Sequence, residues 1–250
     1  MTLFGRKIPI VFSLAIWFIV WELVGRAKLS SIIPPFSDVV AAGITILPTD
    51  KFSAAVVISL RSFAIGMGLS MAIGIPVGVL IARVASLGRI LGLWVNIFVS
   101  APISALVPIL MAVIGIGETT VVVTVFLFAV FVIILDTQVG VRQADRSLVE
   151  MALSFGARRS QLYTKVLLLS ALPEILAGLR LGAIRGVKGV VIGQLLVAIM
   201  GVGELFELYS QYFLMEEFWA LVVIVFMFAF AVSEAIAYLE RRVEYYASAR

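Results

Sequence analysis

The residues of this chain that suit chemistry suit binding better than reaction. Cysteine and histidine are both absent, which removes thiolate nucleophiles, disulfides and His/Cys metal sites. The acidic residues do not cluster within the apolar segments, so no metal site is expected among them either. What remains is a set of charged and amide side chains embedded in apolar sequence. Arg185 and Lys188 stand three apart, so a helix carries them near one face. A cation at mid-membrane costs about 2.5–3.5 kcal/mol on insertion scales unless it faces a cavity or a partner. One placement turns both toward a passage, where they attract an anionic solute, with Gln194 and Asn96 as neutral hydrogen-bonding groups. The other pairs them with Asp136 or Glu234, or with lipid phosphate.

A second group of residues suits docking. Between Leu148 and Pro173 the chain is amphipathic and basic, and it interrupts sequence that is otherwise apolar. Leu148, Val149, Met151, Ala152 and Phe155 recur at helical spacing with Glu150 opposite. Gly156 permits a turn that a residue with a Cβ resists. A second helical run follows, with Leu162, Tyr163, Val166 and Leu167 on one face and Arg158, Arg159 and Lys165 outside it. Short helices hinged at a glycine make a rigid knob suited to a soluble partner. Leu153 and Phe155 are its expected anchors, because buried aromatic and aliphatic groups dominate interfaces, and Arg158 and Arg159 its charged rim. A solvated loop with no partner is the plainer alternative. No G-x4-G-K-[ST] run occurs, so the chain lacks a Walker A phosphate cradle. If ATP is used, a partner subunit binds it with its magnesium, and this chain holds no cofactor.

A membrane scaffold must position both groups. Hydrophobic residues make up 62% of the chain and charged ones 14%, with mean hydropathy +1.16, which defines an integral membrane protein. The net charge of +4 suits loops facing anionic lipid and requires no nucleic acid. Apolar runs predict six helical spans, at about 8–24, 53–82, 90–114, 119–139, 173–200 and 218–239, in one all-α domain covering 1–250. A loop at about 142–172 carries the knob. The first run competes with a signal peptide, but Trp17, Trp21 and Glu22 suit a retained helix. Ser37 or Asp38 is placed to cap a short helix reaching Leu47. The second run exceeds the usual length, so it tilts or projects, and Arg61 in its first turns either snorkels to the interface or touches solute. In the third, Pro102 and Pro108 break the backbone ladder near Asn96, Ser100 and Ser104, so this segment either lines a passage or is kinked for packing. Gly178, Gly182 and Gly186 fall four apart, as do Gly189 and Gly193, an interval that lets helices approach closely. The segment 201–217, with Glu204, Glu207, Glu216 and Glu217, is expected as a loop. Twelve Lys and Arg fall on the side of the knob and termini against three on the other, which places both termini and the knob in the cytoplasm.

Glu150, Ala152 and Gly156, closed by Leu172-Pro173, match the spacing E-A-A-x3-G with a downstream Leu-Pro, and the stretch resembles the "EAA" loop of ABC-importer permease subunits. Met151 replaces one alanine, and Leu169 stands where relatives often carry an earlier proline. Ile33-Pro34-Pro35, Ser59-Leu60-Arg61, Gly74-Ile75-Pro76-Val77-Gly78, Ala105-Leu106-Val107-Pro108, Gly115-Ile116-Gly117-Glu118 and Gly178-Leu179-Arg180-Leu181-Gly182 recur in order. Together they resemble the permeases of nitrate-, sulfonate-, taurine- and bicarbonate-type ABC importers from about Leu29 onward. Gln194 stands where relatives often have glutamate, and Val113-Ile114 where they often have Trp-Phe.

The resemblance implies a type I, MetI-like permease fold in the bacterial inner membrane. It also implies two ATPase subunits, an extracytoplasmic solute-binding protein and a second permease; a homodimer is the expectation, and a mixed pair stays open. The ATPase-coupling residues are then expected at Glu150, Ala152, Leu153, Phe155, Gly156, Ala157, Arg158 and Arg159. The translocation path is expected at Asn96, Ser100, Pro102, Arg185, Lys188 and Gln194. The expected cargo is a small anion of the sulfonate, nitrate, carboxylate or aromatic-acid class. A stand-alone secondary transporter or channel is the alternative, but no clear internal repeat or histidine relay supports it. A membrane enzyme would need a paired carboxylate or nucleophile–base set, and none occurs in one span.

Overall fold

Apolar runs punctuated by glycine, proline and short polar turns fold into helices almost throughout. The computed structural model describes residues 2–3, 6–7, 10–197 and 199–248, with side chains for 12–145, 147–197 and 199–242. A two-residue antiparallel pair, β1 (Thr2–Leu3) with β2 (Arg6–Lys7), is the only strand structure among them. The helices are α1 (Ile10–Arg26), α2 (Phe36–Ile46), α3 (Asp50–Arg83), α4 (Ala85–Ser100), α5 (Val107–Ile114) and α6 (Glu118–Gln143). There follow α7 (Arg146–Ser154), α8 (Arg159–Gln161), α9 (Leu168–Ser170), α10 (Leu172–Val197), α11 (Gly201–Gln211) and α12 (Met215–Ser248).

Small residues decide how the long helices meet. In α3, Ser62, Gly66, Ser70, Gly74 and Gly78 fall four apart and are all buried. A Cβ on Gly66 would stand 2.6 Å from Val125, on Gly74 2.9 Å from Ile133 and on Gly78 2.6 Å from Thr137. From another side, Gly178 of α10 meets Asp136 and Gly182 meets Ile133, at 2.7 and 3.0 Å from the same hypothetical atom. Gly186 instead faces Met67 and Phe63 of α3. The order of these contacts makes α3 parallel to α6 and α10 antiparallel to it. So α6 is the central post, its Val125, Ala129 and Ile133 fully buried between two stripes that have no side chains to hold backbones apart.

Several expected boundaries move. Among the described residues three helices are long and apolar enough to cross a membrane alone, and up to five spans result if each bent pair counts as one. The first expected span, 8–24, corresponds to α1, which has 17 residues and is not among those five; positions 8 and 9 lie outside the described residues. The third span is not continuous. Here α4 and α5 meet at 92° through a 3-10 turn, Ile103–Leu106. Ala101, preceding Pro102, is extended at ψ 145°, and Pro108 occupies the first turn of α5, where its missing N–H costs nothing. The expected loop at 201–217 is a correction: most of it is α11, because Val202, Leu205, Phe206 and Tyr209 repeat at helical spacing and are buried. The last helix continues well beyond position 239.

At the end of the bundle away from α7, α2 and α11 pack around the first turns of α3 and α12 through Val39, Phe52, Leu205 and Leu221. The α2 cap does not come from Ser37 or Asp38. Pro35 precedes the helix without a side-chain bond, and Glu22 of α1 accepts from Ser37 N at 2.9 Å and from Ser37 Oγ at 3.0 Å. A carboxylate from another helix thus satisfies the free N–H at a helix start. Trp21 and Trp219 donate to the carbonyls of Pro34 and Ile32 and meet edge to face at 5.4 Å. Arg61 is paired: its Nε lies 3.3 Å from Glu118 at the start of α6.

Candidate functional site

The knob is built by two caps. Asp145 accepts from Ser147 N at 2.8 Å and starts α7. At the other end Gly156 takes φ +76°, a left-handed conformation that glycine adopts without a Cβ clash. Ala157 N then bonds Ala152 O at 3.0 Å and Gly156 N bonds Leu153 O at 2.9 Å, the paired bonds of a Schellman turn. Arg158 N donates to Gln161 Oε1 at 2.9 Å to start the second arm. That arm runs α8, a π-helical turn at Leu162–Leu167, then α9, and it leaves into α10 at 63°. The π turn breaks the simple periodicity read from Leu162, Tyr163, Val166 and Leu167. Of these, Leu167 is buried and Tyr163 exposed.

The knob's outer face carries apolar groups with nothing packed on them. Phe155 is 85% exposed, and Met151 and Leu153 are more than half exposed. Glu150, Arg158 and Arg159 are exposed beside them, while Ala152 and Ala157 are half-buried. So large an aromatic group presented by a rigid turn is the arrangement of an interface anchor. Behind α7, a cleft of about 280 Å³ is lined by Ala82, Arg83, Val141, Arg142, Ala144, Val149 and Glu150.

Among the described residues, no hydrogen bond or ion pair joins one residue assigned to the translocation path to another. Arg185 is half-buried and Lys188 exposed on α10. Among the described residues no carboxylate lies within 4.0 Å of either. Of their two alternative partners, Asp136 packs on Gly178 and Glu234 pairs with Arg241 at 3.5 Å. Asn96, Ser100 and Pro102 are exposed along α4 and its break, and Asn96 Nδ2 donates to Gly92 O of its own helix at 2.9 Å.

Gln194 is fully buried. Its Oε1 accepts from Ser59 Oγ at 2.8 Å and Gly203 N at 3.4 Å, while Ser59 Oγ accepts from Val202 N at 3.0 Å. Gly201, at φ +63°, and Gly203 sit so close to Gln194 that neither has room for a Cβ. This side chain therefore ties α11 to α3 and α10. Sequence reasoning did not find Ser59 in this role, since 135 positions separate it from Gln194. The small-residue stripe of α3 was also missed, although its four-residue interval was there to read.

Comparison with known proteins agrees with this architecture. Residues 74–245 match the family described as "Binding-protein-dependent transport system inner membrane component". The chain is 27% identical to the taurine transport system permease protein TauC of Escherichia coli (strain K12), over 92% of this chain and 86% of that one. It is 31% identical to the glycine betaine/carnitine/choline transport system permease protein OpuCD of Bacillus subtilis (strain 168), over 56% and 61%. Among solved structures, a chain of the MetNI methionine ABC transporter in inward-facing conformations superposes with a TM-score of 0.68 at 23% identity, covering 77% of this chain and 96% of that one. The chain belongs to the binding-protein-dependent transport system inner membrane component family: it is a multi-pass permease subunit of an ABC importer, a transport part and not itself an enzyme.

Proposed function

We propose that two identical copies of this chain form the pathway of an ATP-driven importer, served by two ATPase subunits and an extracytoplasmic solute-binding protein. They carry a small anionic solute of the sulfonate, nitrate, carboxylate or aromatic-acid class into the cytoplasm. The observation that carries the coupling half of this reading is Phe155, 85% exposed on a turn fixed by Gly156. Seated in a cleft of the ATPase, with Leu153 beside it and Arg158 and Arg159 at the rim, it would turn closure of the ATPase pair into movement of α6 and α10. Both termini and the knob lie in the cytoplasm on the twelve-to-three distribution of Lys and Arg.

The anionic class rests on Arg185 and Lys188, which have no carboxylate within 4.0 Å among the described residues, and on the likeness to a taurine permease. Asn96, Ser100 and Pro102, exposed along α4, would complete the path when a second copy faces them. Gln194 would act behind that path by fixing α11. Purification of the tagged chain should recover the ATPase subunits, and Phe155→Asp should release them while the permease stays folded. Proteoliposome uptake of taurine, whose sulfonate is the anionic group under test, with choline as the cationic counter-test, checks the cargo. Arg185→Gln with Lys188→Gln should raise the concentration for half-maximal taurine uptake, and unchanged kinetics would remove the anion assignment.

A further inference from the structure

Three charged side chains, carried by three different helices, line one open cleft. Arg83 ends α3 and Arg142 lies in the last turn of α6, while Glu150 sits on α7 across about 280 Å³ of space. Among the described residues, no carboxylate lies within 4.0 Å of either arginine and no cation within 4.0 Å of Glu150. Arg142 is braced from behind. With the Gln138 amide oxygen turned toward it, Nη2 and Nη1 donate at 2.8 and 3.3 Å, and Nη2 also lies beside Gly88 in the first turn of α4. Asp145 is committed to capping α7, and the side chain of Arg146 lies outside the described residues.

We infer that Glu150 closes onto Arg83 and Arg142 when the knob is driven toward the spans. The inference rests on the ATPase docking proposed above and adds a receiver for it inside this chain. Covalent connections carry a push on the knob only into α6 and α10. An ion pair across the cleft delivers it to α3 as well, through Arg83, and to α4 through Arg142 braced against Gly88. Opposite charges lining one partly solvated cleft favour the closed arrangement without fixing it, as a reversible stroke requires.

Ala82 and Val149 line the same cleft, and the chain contains no cysteine. Ala82→Cys with Val149→Cys therefore reports closure by a short bismaleimide cross-link while all three charges stay in place. The assay uses the assembled complex with its ATPase subunits in nanodiscs, nucleotide-free and with ATP trapped by vanadate. Cross-linking should rise on trapping. Glu150→Gln, or Arg83→Gln with Arg142→Gln, should cut the trapped yield about five-fold, the size of one partly solvated ion pair. Glu150→Arg combined with Arg142→Glu should restore part of it, and Arg146→Gln should leave it unchanged. A yield indifferent to these charges, or one lost equally with Arg146→Gln, overturns the inference. If the ATPase subunits fail to co-purify with the unsubstituted chain, the docking itself is at fault. If they bind and hydrolyse ATP while the cleft ignores the charges, this inference alone falls.

Discussion

The α3–α6–α10 packing and the α7–α9 knob are built on opposite principles, and glycine serves both. In the packed helices glycine is there for what it lacks: Gly66, Gly74, Gly78 and Gly178 leave backbone and Cβ atoms of α6 no other room. In the knob Gly156 has open space around it and is there for its positive φ. One region spends its small residues on internal closeness, and the other spends its large ones on an outward face. Fold and coupling should therefore fail separately when each is damaged.

The sharpest way to break that contrast is a large residue in the first region. Gly78→Leu pushes into Thr137 and the Ile134 carbonyl at under 3 Å, and at about 3 kcal/mol, the upper end of overpacking costs, it should leave little monodisperse permease after purification. Phe155→Ala should do the reverse. It removes an interface anchor worth about 2 kcal/mol, weakening ATPase binding near thirty-fold, while the unfolding midpoint of the permease stays put. A matching drop in that midpoint would show that the knob helps hold the bundle together.

Ser59→Ala sharpens the comparison at intermediate size. It strips a partner from buried Gln194 and from Val202 N, costing about 1–3 kcal/mol. It should speed hydrogen exchange along α11 without changing ATPase affinity. Glu22→Gln should act least. Exchange should quicken at Ser37 and the next amides of α2 only, because the carboxylate there replaces a missing local cap.

Sequence alone supplied most of the long helices, the glycine-hinged knob and one of the two glycine stripes, because each is periodic over neighbouring residues. Its misses were of two kinds. The α11 helix was read as a loop because the glutamates at 204 and 207 suggested a polar connection. In the fold those two are only partly buried, while Leu205, Phe206 and Tyr209 fill the core. Ser59 with Gln194, Glu22 with Ser37, and Arg61 with Glu118 were invisible for a different reason. Each joins segments that only the folded chain brings together, and no local spacing encodes such a bond.

Gly140 has a consequence for how force enters the bundle. It lies in the last turns of α6, just before the knob, and a Cβ there would strike Glu174 and the Ala171 carbonyl, where the chain returns into α10. The outgoing and returning strands of the excursion are thus pinched together at its base, like the two legs of a staple. A load applied at the tip can tilt that staple as one piece but cannot slide one leg along the other. Under the docking proposed above, two antiparallel rods gripped in this way would pivot together, as a swing of the whole central pair.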